Sequence, residues 1–189
     1  MAWSFRSQIQ ILLGGNMIRA IYGKDKFLMF RLLEDAKKQK ATKLALQTEH
    51  TLSADRNVDT TQTKDGAINS DGGIEYSMDI TAIASHDEVN EMLKKSVDEQ
   101  KVLECWEIDL AGEKQEGKYP ALYMQGKLES WEMPANVEDL AEISTTMKID
   151  GKPQAGFATI SEDDEKAILY GFRDVTIFAG EDGSEVRAQ

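Results

Sequence analysis

Residues 74–82 read IEYSMDITA, and an apolar residue occupies every second position from Ile74 to Ala82. A period of two is typical of a β-strand with one face in a core and the other in water. Further candidate strands alternate in this way or form short apolar runs at 27–33, 102–110, 119–131, 143–149 and 172–178. The sequence therefore predicts a mainly β fold, either a β-sandwich or a small barrel.

One segment breaks this period and predicts an α-helix over residues 86–98. Ser85 and Glu88 have the spacing of a capping box, with Ser85 as the N-cap. Four apolar residues follow at helical spacing: Val89, Met92, Leu93 and Val97. Because a single apolar stripe needs a partner surface, we expect this helix to flank the sheet.

A long polar stretch, residues 49–72, separates two segments that are predicted to be strands. It contains Thr and Val, which suit strands, and Asp, Asn and Gly, which suit turns, but almost nothing to bury. A hairpin loop usually has only about two to five residues. We therefore expect an arm that is either disordered or ordered by a partner outside its own domain. This favours a subunit of an assembly over an enzyme.

Composition narrows the class of protein. The chain has 189 residues, of which 41% are hydrophobic and 30% charged, so one domain with a real core is expected. The net charge of -12 argues against a protein that grips phosphate with a basic patch. The single cysteine, Cys105, rules out an internal disulfide framework. No apolar run is long enough for a transmembrane helix.

The two ends of the chain are expected to differ from the domain between them. Residues 1–16 are predicted to be a non-native or flexible extension, because the Gly-Gly-Asn before Met17 is what a translated purine-rich ribosome-binding site would encode. The alternative is a genuine N-terminal arm that docks on a neighbour. Residues 17–179 are expected to form the domain, and residues 180–189 a flexible tail.

No catalytic, cofactor-binding or metal-binding constellation is evident in the sequence. His50 and His86 lie far apart without a metal-binding spacing, and both are predicted to be solvated surface residues. Cys105 is predicted to be a small structural side chain. The acidic cluster at 162–165 lacks the ligand spacing of an EF-hand loop and is predicted to be a solvated turn. We therefore expect neither an enzyme nor a cofactor.

Several segments carry a resemblance to one family. They are LQTEHT (46–51), DTTQTKDG (59–66), WEID (106–109), GKYPA (117–121), QGKLESWE (125–132), VEDL (137–140) and DGKPQAGFAT (150–159). In this order and spacing they resemble the major tail (tail tube) proteins of long, non-contractile-tailed bacteriophages, of the type first described in lactococcal phages. The resemblance covers about residues 20–178.

The resemblance implies a β-sandwich or barrel with one flanking helix, as in the type VI secretion tube protein, and hexameric rings that stack into a hollow tail. It implies that DNA passes through the lumen without specific binding and that the tape-measure, baseplate and tail terminator proteins are partners. The location implied is the virion tail, with assembly in the host cytoplasm and no membrane. The arm would reach the adjoining ring through seven residues: Arg56, Asp59, Thr60, Thr61, Thr63, Lys64 and Asp65.

Three other interpretations remain open at the level of sequence. The chain could form the tube of a phage-derived bacteriocin or secretion particle, which the subunit sequence barely distinguishes from a phage tail. It could be a monomeric β-sandwich binding module whose polar arm grips a ligand. It could also be an enzyme with dispersed carboxylates, such as a glycosidase, which requires two carboxylates at a defined separation across a pocket.

Overall fold

The computed structural model describes residues 10–13, 16–161 and 165. The chain divides into a compact unit that ends at Thr159 and a second unit from Ile160, of which only residues 160, 161 and 165 are described. At the start, β1 (Gln10–Leu13) and β2 (Asn16–Arg19) pair as an antiparallel hairpin. The strand predicted at 172–178, residues 162–164 of the acidic cluster and the tail 180–189 lie outside the described residues.

Eight strands form the main sheet, and every pairing among them is antiparallel. They are β3 (Lys26–Leu32), β4 (Thr42–Lys43), β5 (Gln47–Thr63), β6 (Gly66–Ile83), β7 (Leu103–Asp109), β8 (Tyr119–Leu128), β9 (Glu142–Ile149) and β10 (Gln154–Ala158). Seven of them follow the order β4-β3-β7-β8-β9-β6-β5, while β10 pairs with β8. Two short 3-10 turns, Gly23–Asp25 and Leu33–Asp35, flank β3. The prediction of a mainly β fold is confirmed.

Strands β9 and β10 follow one another along the same side of β8. Ile149 of β9 pairs with Gly126, and Gln154 of β10 pairs with Tyr123. Four residues therefore connect β9 to β10, opposite only two residues of β8. A Cβ atom placed on Gly126 would lie 2.0 Å from the backbone oxygen of Lys148. The close approach of β9 to β8 therefore depends on the missing side chain at this position.

The α-helix α1 spans Glu88–Asp98 and begins two residues later than predicted. Its N-cap is Asp87, which corrects the assignment of Ser85. The Asp87 carboxylate accepts hydrogen bonds from the backbone N–H groups of Val89 and Asn90, at 2.8 and 2.9 Å, and Ser85 donates to the same carboxylate. Burial acts to raise the pKa of Asp87, but these hydrogen bonds hold it below its ordinary value. An ionised carboxylate at the cap suits the positive end of the helix dipole, so Asp87 replaces the hydroxyl.

The core lies between the curved sheet and α1. Its side chains come from five strands, from the turn after β4 and from the helix: Leu28, Phe30, Leu44, Met78, Ile80, Leu93, Leu103, Met124, Ile143 and Met147. Cys105 is fully buried in the same cluster, and burial raises the pKa of its thiol. The residue is therefore a small core side chain, as predicted, with its thiol kept protonated.

Four side chains bridge β5 to β3 and to β7, two strands with which β5 shares no backbone ladder. The Gln47 side-chain oxygen accepts a hydrogen bond from the Leu28 backbone N–H at 3.0 Å, and the Gln47 amide nitrogen contacts His50 Nδ1. His50 Nε2 lies 3.1 Å from Glu107 Oε2, and Lys26 forms an ion pair with the other oxygen of Glu107. We call Lys26, Gln47, His50 and Glu107 the seam cluster, because these side chains complete the barrel at a seam that no backbone ladder crosses.

The position of His50 corrects the prediction that it is a solvated surface histidine, since only 9% of its side chain is exposed. His50 pairs with Ile80 in the β5–β6 ladder and therefore projects from the core-facing side of β5. The hydrogen bond from His50 is the main cause that lowers the pKa of Glu107; burial opposes the shift and Lys26 adds to it. His86 is exposed, as predicted.

We expect Gly126→Ala to lower the free energy of unfolding by about 1–3 kcal/mol, because the new methyl group forces β9 away from β8. Urea unfolding of the purified protein measures the change. Gly156→Ala is the matched control, since a Cβ on this β10 glycine meets nothing within 4 Å. Equal losses in the two variants would show that the tight contact at Gly126 is not the cause.

We expect the seam cluster to make stability depend on pH in the acid range. The folded pKa of Glu107 lies below the ordinary value of 4.5, so the unfolded chain takes up this proton first as the pH falls. The contribution is complete above the ordinary pKa and is lost as the pH falls through the lowered one. Between about pH 6 and pH 3, the wild type should thus lose stability more steeply than Glu107→Gln. The exposed Glu88→Gln should retain the wild-type slope, and an unchanged slope in Glu107→Gln would contradict the assignment.

Candidate functional site

Strands β5 and β6 continue as a two-stranded hairpin beyond the rest of the sheet. β6 pairs with β9 only over Tyr76–Ile83, whereas residues 66–75 pair with β5 alone. Every side chain from Ala54 to Glu75 is exposed except at the half-buried Gly72. We call residues 54–75 the arm. At about 3.3 Å per residue, its β6 strand carries the tip roughly 30 Å past the last pair with β9.

The structure corrects the expectation that residues 49–72 have no order of their own. Residues 49–63 belong to β5 and residues 66–72 to β6, so only Lys64 and Asp65 remain in the turn. Gly66 follows with φ at 132°, a conformation that other residues rarely adopt. The ladder satisfies the backbone N–H and C=O groups that face the partner strand, and the many Thr residues favour strands. The arm thus forms without a hydrophobic core.

A bulge marks the joint between the body of the sheet and the arm. Arg56 pairs with Ile74 and Val58 with Asp71, which leaves Asn57 opposite the two residues Gly72 and Gly73. A Cβ on Gly72 would lie 2.8 Å from the Cβ and the oxygen of Asn57, so the strands approach closely here. Because a bulge bends and twists its strand, this joint sets the direction in which the arm projects.

All seven residues predicted to make the assembly contacts lie on the arm and are exposed: Arg56, Asp59, Thr60, Thr61, Thr63, Lys64 and Asp65. The structure distributes them along its length. Arg56 forms an ion pair with Asp71 across the joint, and the Thr60 hydroxyl donates to Asn69 Oδ1 at 2.9 Å. Thr63, Lys64 and Asp65 surround the tip, where the Thr63 hydroxyl donates to the Gly66 oxygen at 2.6 Å.

Sequence reasoning missed three apolar side chains that the arm exposes, namely Val58, Ile68 and Ile74. Arg56 and Ile74 are paired, and Val58 is two residues from Arg56 on the same strand, so these three project from one side of the joint. Ile68 projects from the other side, nearer the tip. Apolar side chains on a hairpin with no core of its own are typical of a surface that another molecule covers. Isolated apolar residues within an otherwise polar segment were the sequence signal that could have identified this contact surface.

At the root of the arm, β5, β6 and β9 present a polar face on the side away from the core. This polar face consists of Glu49, Thr51, Ser53, Ser77, Asp79, Thr81, Ser144, Thr146 and Lys148. The Thr146 hydroxyl donates to Asp79 Oδ1 at 2.7 Å. The one cation, Lys148, has its ammonium nitrogen 3.6 Å from a carboxylate oxygen of Glu129. On these three strands the face therefore offers hydroxyl and carboxylate groups and no aromatic ring, while Lys127 of the adjoining β8 pairs with Lys148 on the same side of the sheet.

Two buried carboxylates on β7 could suggest catalysis, but their geometry does not support it. Glu104 and Glu107 are an odd number of residues apart and so lie on opposite faces of the strand. Glu104 accepts hydrogen bonds from Arg31 and from the Tyr123 hydroxyl, both at 2.7 Å, while Glu107 belongs to the seam cluster. These two residues therefore cannot form the facing pair that a glycosidase requires.

Over residues 10–13, 16–161 and 165, no group of three or more His, Cys, Asp or Glu side chains is placed to hold a metal ion. None of the helical residues in this part of the chain belongs to a helix with the length and apolar composition needed to cross a membrane. The projecting arm and the polar face at its root are thus the features of the described residues that call for a function.

Comparison with known proteins gives these features a context. A family model described as phage tail tube protein matches residues 20–155. A tail protein of Staphylococcus phage phiMR25 is 31% identical over 159 residues, which cover 80% of this chain and 81% of that protein.

Two solved structures share the fold. The SPP1 tail tube, determined by solid-state NMR and cryo-EM, has a TM-score of 0.67 and 22% identity, covering 86% of this chain and 96% of that chain. The tail of an empty gene transfer agent particle, refined with C6 symmetry, has a TM-score of 0.56 and 13% identity, covering 74% of this chain and 100% of that chain. The resemblance seen in the sequence is confirmed by the family match over most of the chain: this chain belongs to the phage tail tube protein family.

Proposed function

We propose that this chain forms hexameric rings that stack into the tube of a phage tail, around a lumen through which the genome passes. The observation that carries the proposal is the arm, a strand-paired hairpin that projects roughly 30 Å from the sheet and buries nothing within its own chain. Membership of the tail tube family and the C6 symmetry of the similar gene transfer agent tail support it.

Ring formation follows from the open edge of the sheet. β5 is the last strand on its side and pairs only with β6, so one edge of a 17-residue strand keeps unpaired backbone N–H and C=O groups. An exposed edge of this length is a template for pairing with another chain. A closed ring gives every copy the same neighbour and leaves no free edge, which limits association to a finite number of subunits.

Stacking is the role proposed for the arm, with contacts from Arg56, Asp59, Thr60, Thr61, Thr63, Lys64 and Asp65. The hairpin is already paired in the single chain, so docking costs less conformational entropy than the ordering of a loose loop would. Each arm contact can then be weak, because the several arms of one ring act together on the next.

The polar face is the surface proposed to line the lumen. Its carboxylate and hydroxyl groups repel or only weakly bind phosphate, and Lys148 is already opposed by Glu129. It has no aromatic ring on which bases could stack. DNA would therefore slide along this surface rather than adhere to it.

This structural role needs no catalytic residue or cofactor, and we propose that the protein has no enzymatic activity.

A finite stack exposes arms at one end and, at the other end, the surfaces on which arms would dock. The baseplate and tail terminator proteins would cover these two ends, and the tape-measure protein would occupy the lumen until the genome passes. Assembly would take place in the host cytoplasm before the tail joins the virion.

We expect removal of the arm to block stacking without unfolding the subunit. Because Arg56 and Ile74 are direct partners in the ladder, an Asn-Gly turn can replace residues 57–73 and join them. Thermal unfolding should confirm a folded chain, and negative-stain electron microscopy at increasing concentration should show tubes for the wild type and only rings or monomers for the variant. Normal tubes from the shortened chain would refute the role of the arm. A wild type that stays monomeric at every concentration would favour the binding-module interpretation.

We expect Asp79→Lys to slow genome release from particles that carry the variant, because it replaces a charge that repels DNA by one that binds it. The rate of DNA ejection, and its dependence on salt, measures the effect. Glu113→Lys makes the same charge change at an exposed position outside the polar face and should leave ejection unchanged. If Asp79→Lys also ejects DNA at the wild-type rate, the polar face does not line the lumen.

A further inference from the structure

We propose that the loop between β8 and β9, residues 132–140, is the surface that receives the arm of a second copy of this chain. The inference rests on the stacking function proposed above and adds to it the receiving surface and the part of the arm that meets it. We call residues 132–140 the receiving loop, and Arg56, Val58 and Ile74 the joint patch.

The receiving loop exposes an unusual amount of apolar surface. All of its residues are exposed, and Val137 and Leu140 have 98% and 77% of their surface in contact with solvent; Met133 has 46%. Singly exposed apolar side chains are common on proteins, but three within eight positions of one loop are a concentration of apolar surface that is typical of an interface.

Local hydrogen bonds give the receiving loop a defined shape. The Asn136 side-chain amide donates to Asp139 Oδ2 at 2.8 Å, and the same side chain accepts from the Glu138 backbone N–H at 3.3 Å. The neighbouring Trp131 packs against the core and anchors the start of the loop. Val137 and Leu140 are therefore held at the surface and do not collapse onto the body of their own chain.

The arm and the receiving loop lie at opposite ends of β6. The arm leaves the sheet beyond Tyr76, whereas the loop returns to the sheet at Glu142, which pairs with Ile83 at the other end of the strand. A backbone hydrogen bond of 2.8 Å from Ala84 to Ala141 holds the two chain segments together there. In a head-to-tail stack, the opposite ends of consecutive copies meet. The receiving loop of one copy then faces the root of the next copy's arm, while the tip reaches further along the body.

The two surfaces are complementary in chemistry. The joint patch combines two exposed apolar side chains with the guanidinium of Arg56 on one side of the hairpin. The receiving loop combines its three apolar side chains with Glu132, Glu138 and Asp139, and it contains no Lys or Arg. Asp71 of the same chain already pairs with the Arg56 guanidinium. Because a guanidinium has five N–H donors, Arg56 keeps further donors for a carboxylate of the partner. Apolar contact would supply the affinity, and the charge pair would fix the register.

A cysteine pair tests the contact directly. The chain's single cysteine, Cys105, is fully buried, so introduced cysteines are the only accessible thiols. Ile74→Cys and Val137→Cys chains, mixed and assembled under mild oxidation, should give a disulfide-linked pair of different chains in the tube fraction and none in the monomer fraction. Ile74→Cys mixed with Ile21→Cys is the control, because Ile21 is an exposed apolar residue in neither surface.

Substitutions test the energetics. Val137→Asp should raise the concentration needed for tubes by about tenfold or more, with ring formation and thermal unfolding unchanged. Ile21→Asp should leave that concentration at the wild-type value. Arg56→Glu should also weaken stacking, and Asp139→Lys added to it should restore part of the loss, which a purely local role of Arg56 would not allow.

The outcomes separate this inference from the proposed function. The predicted cross-link, together with loss of stacking in Val137→Asp, supports the receiving loop. Normal tubes from Val137→Asp and no cross-link from Ile74→Cys would overturn it, while the stacking function itself would stand. A wild type that forms neither rings nor tubes would refute the proposed function, and the inference would fall with it.

Discussion

The backbone ladder between β5 and β6 runs from the core to the tip of the arm with two irregularities, at Gln47/Glu49 and at Arg56/Val58, and the rest of the molecule depends on it. At one end it joins Gln47 to Ala82 inside the barrel, and at the other it joins Thr63 to Gly66 in solvent. Over the body of the sheet, Met78 and Ile80 support the ladder by packing in the core. Over the arm, backbone hydrogen bonds and a few side-chain contacts hold the two strands together. One pair of strands thus serves both as the wall of a domain and as a projection from it.

The seam cluster connects these two roles. His50 lies on β5 only a few residues before the arm, and its contact with Glu107 ties this strand to β7 across a gap that the sheet does not close by backbone pairing. Gln47 makes the corresponding tie to β3. The root of the arm is therefore held from both sides, by β9 through the ladder of β6 and by the polar side chains of the barrel interior.

The parts of the fold that local pattern controls could be predicted from the sequence. The alternation at 74–82 identified β6, and the apolar stripe of Val89 and Leu93 identified α1, because both signals depend on residues close in the chain. The helix start was misplaced by two residues because Ser85 and Asp87 both suit an N-cap, and only the packed structure shows which one the helix uses.

What could not be predicted depends on contacts between distant segments. The burial of His50 follows from barrel closure, which brings together residues 50 and 107. The hairpin nature of the arm escaped notice because a ladder without a core leaves no apolar alternation to read. The exposure of Val137 and Leu140 was equally hidden, since apolar residues near a strand are normally assigned to the core. The arm was identified from its polar composition and its stacking role from the family resemblance, whereas its geometry required the structure.

The bulge at the joint has a mechanical consequence for the proposed tube. If rings are linked through arms, bends of the tail are absorbed most easily where the arm leaves its own sheet, because the body of the sheet is packed around a core. Asn57 opposite Gly72 and Gly73 is the point where the ladder already departs from regular pairing and where small side chains permit a change of angle. The bending stiffness of a whole tail would then be set by a two-glycine step in each subunit, repeated around every ring.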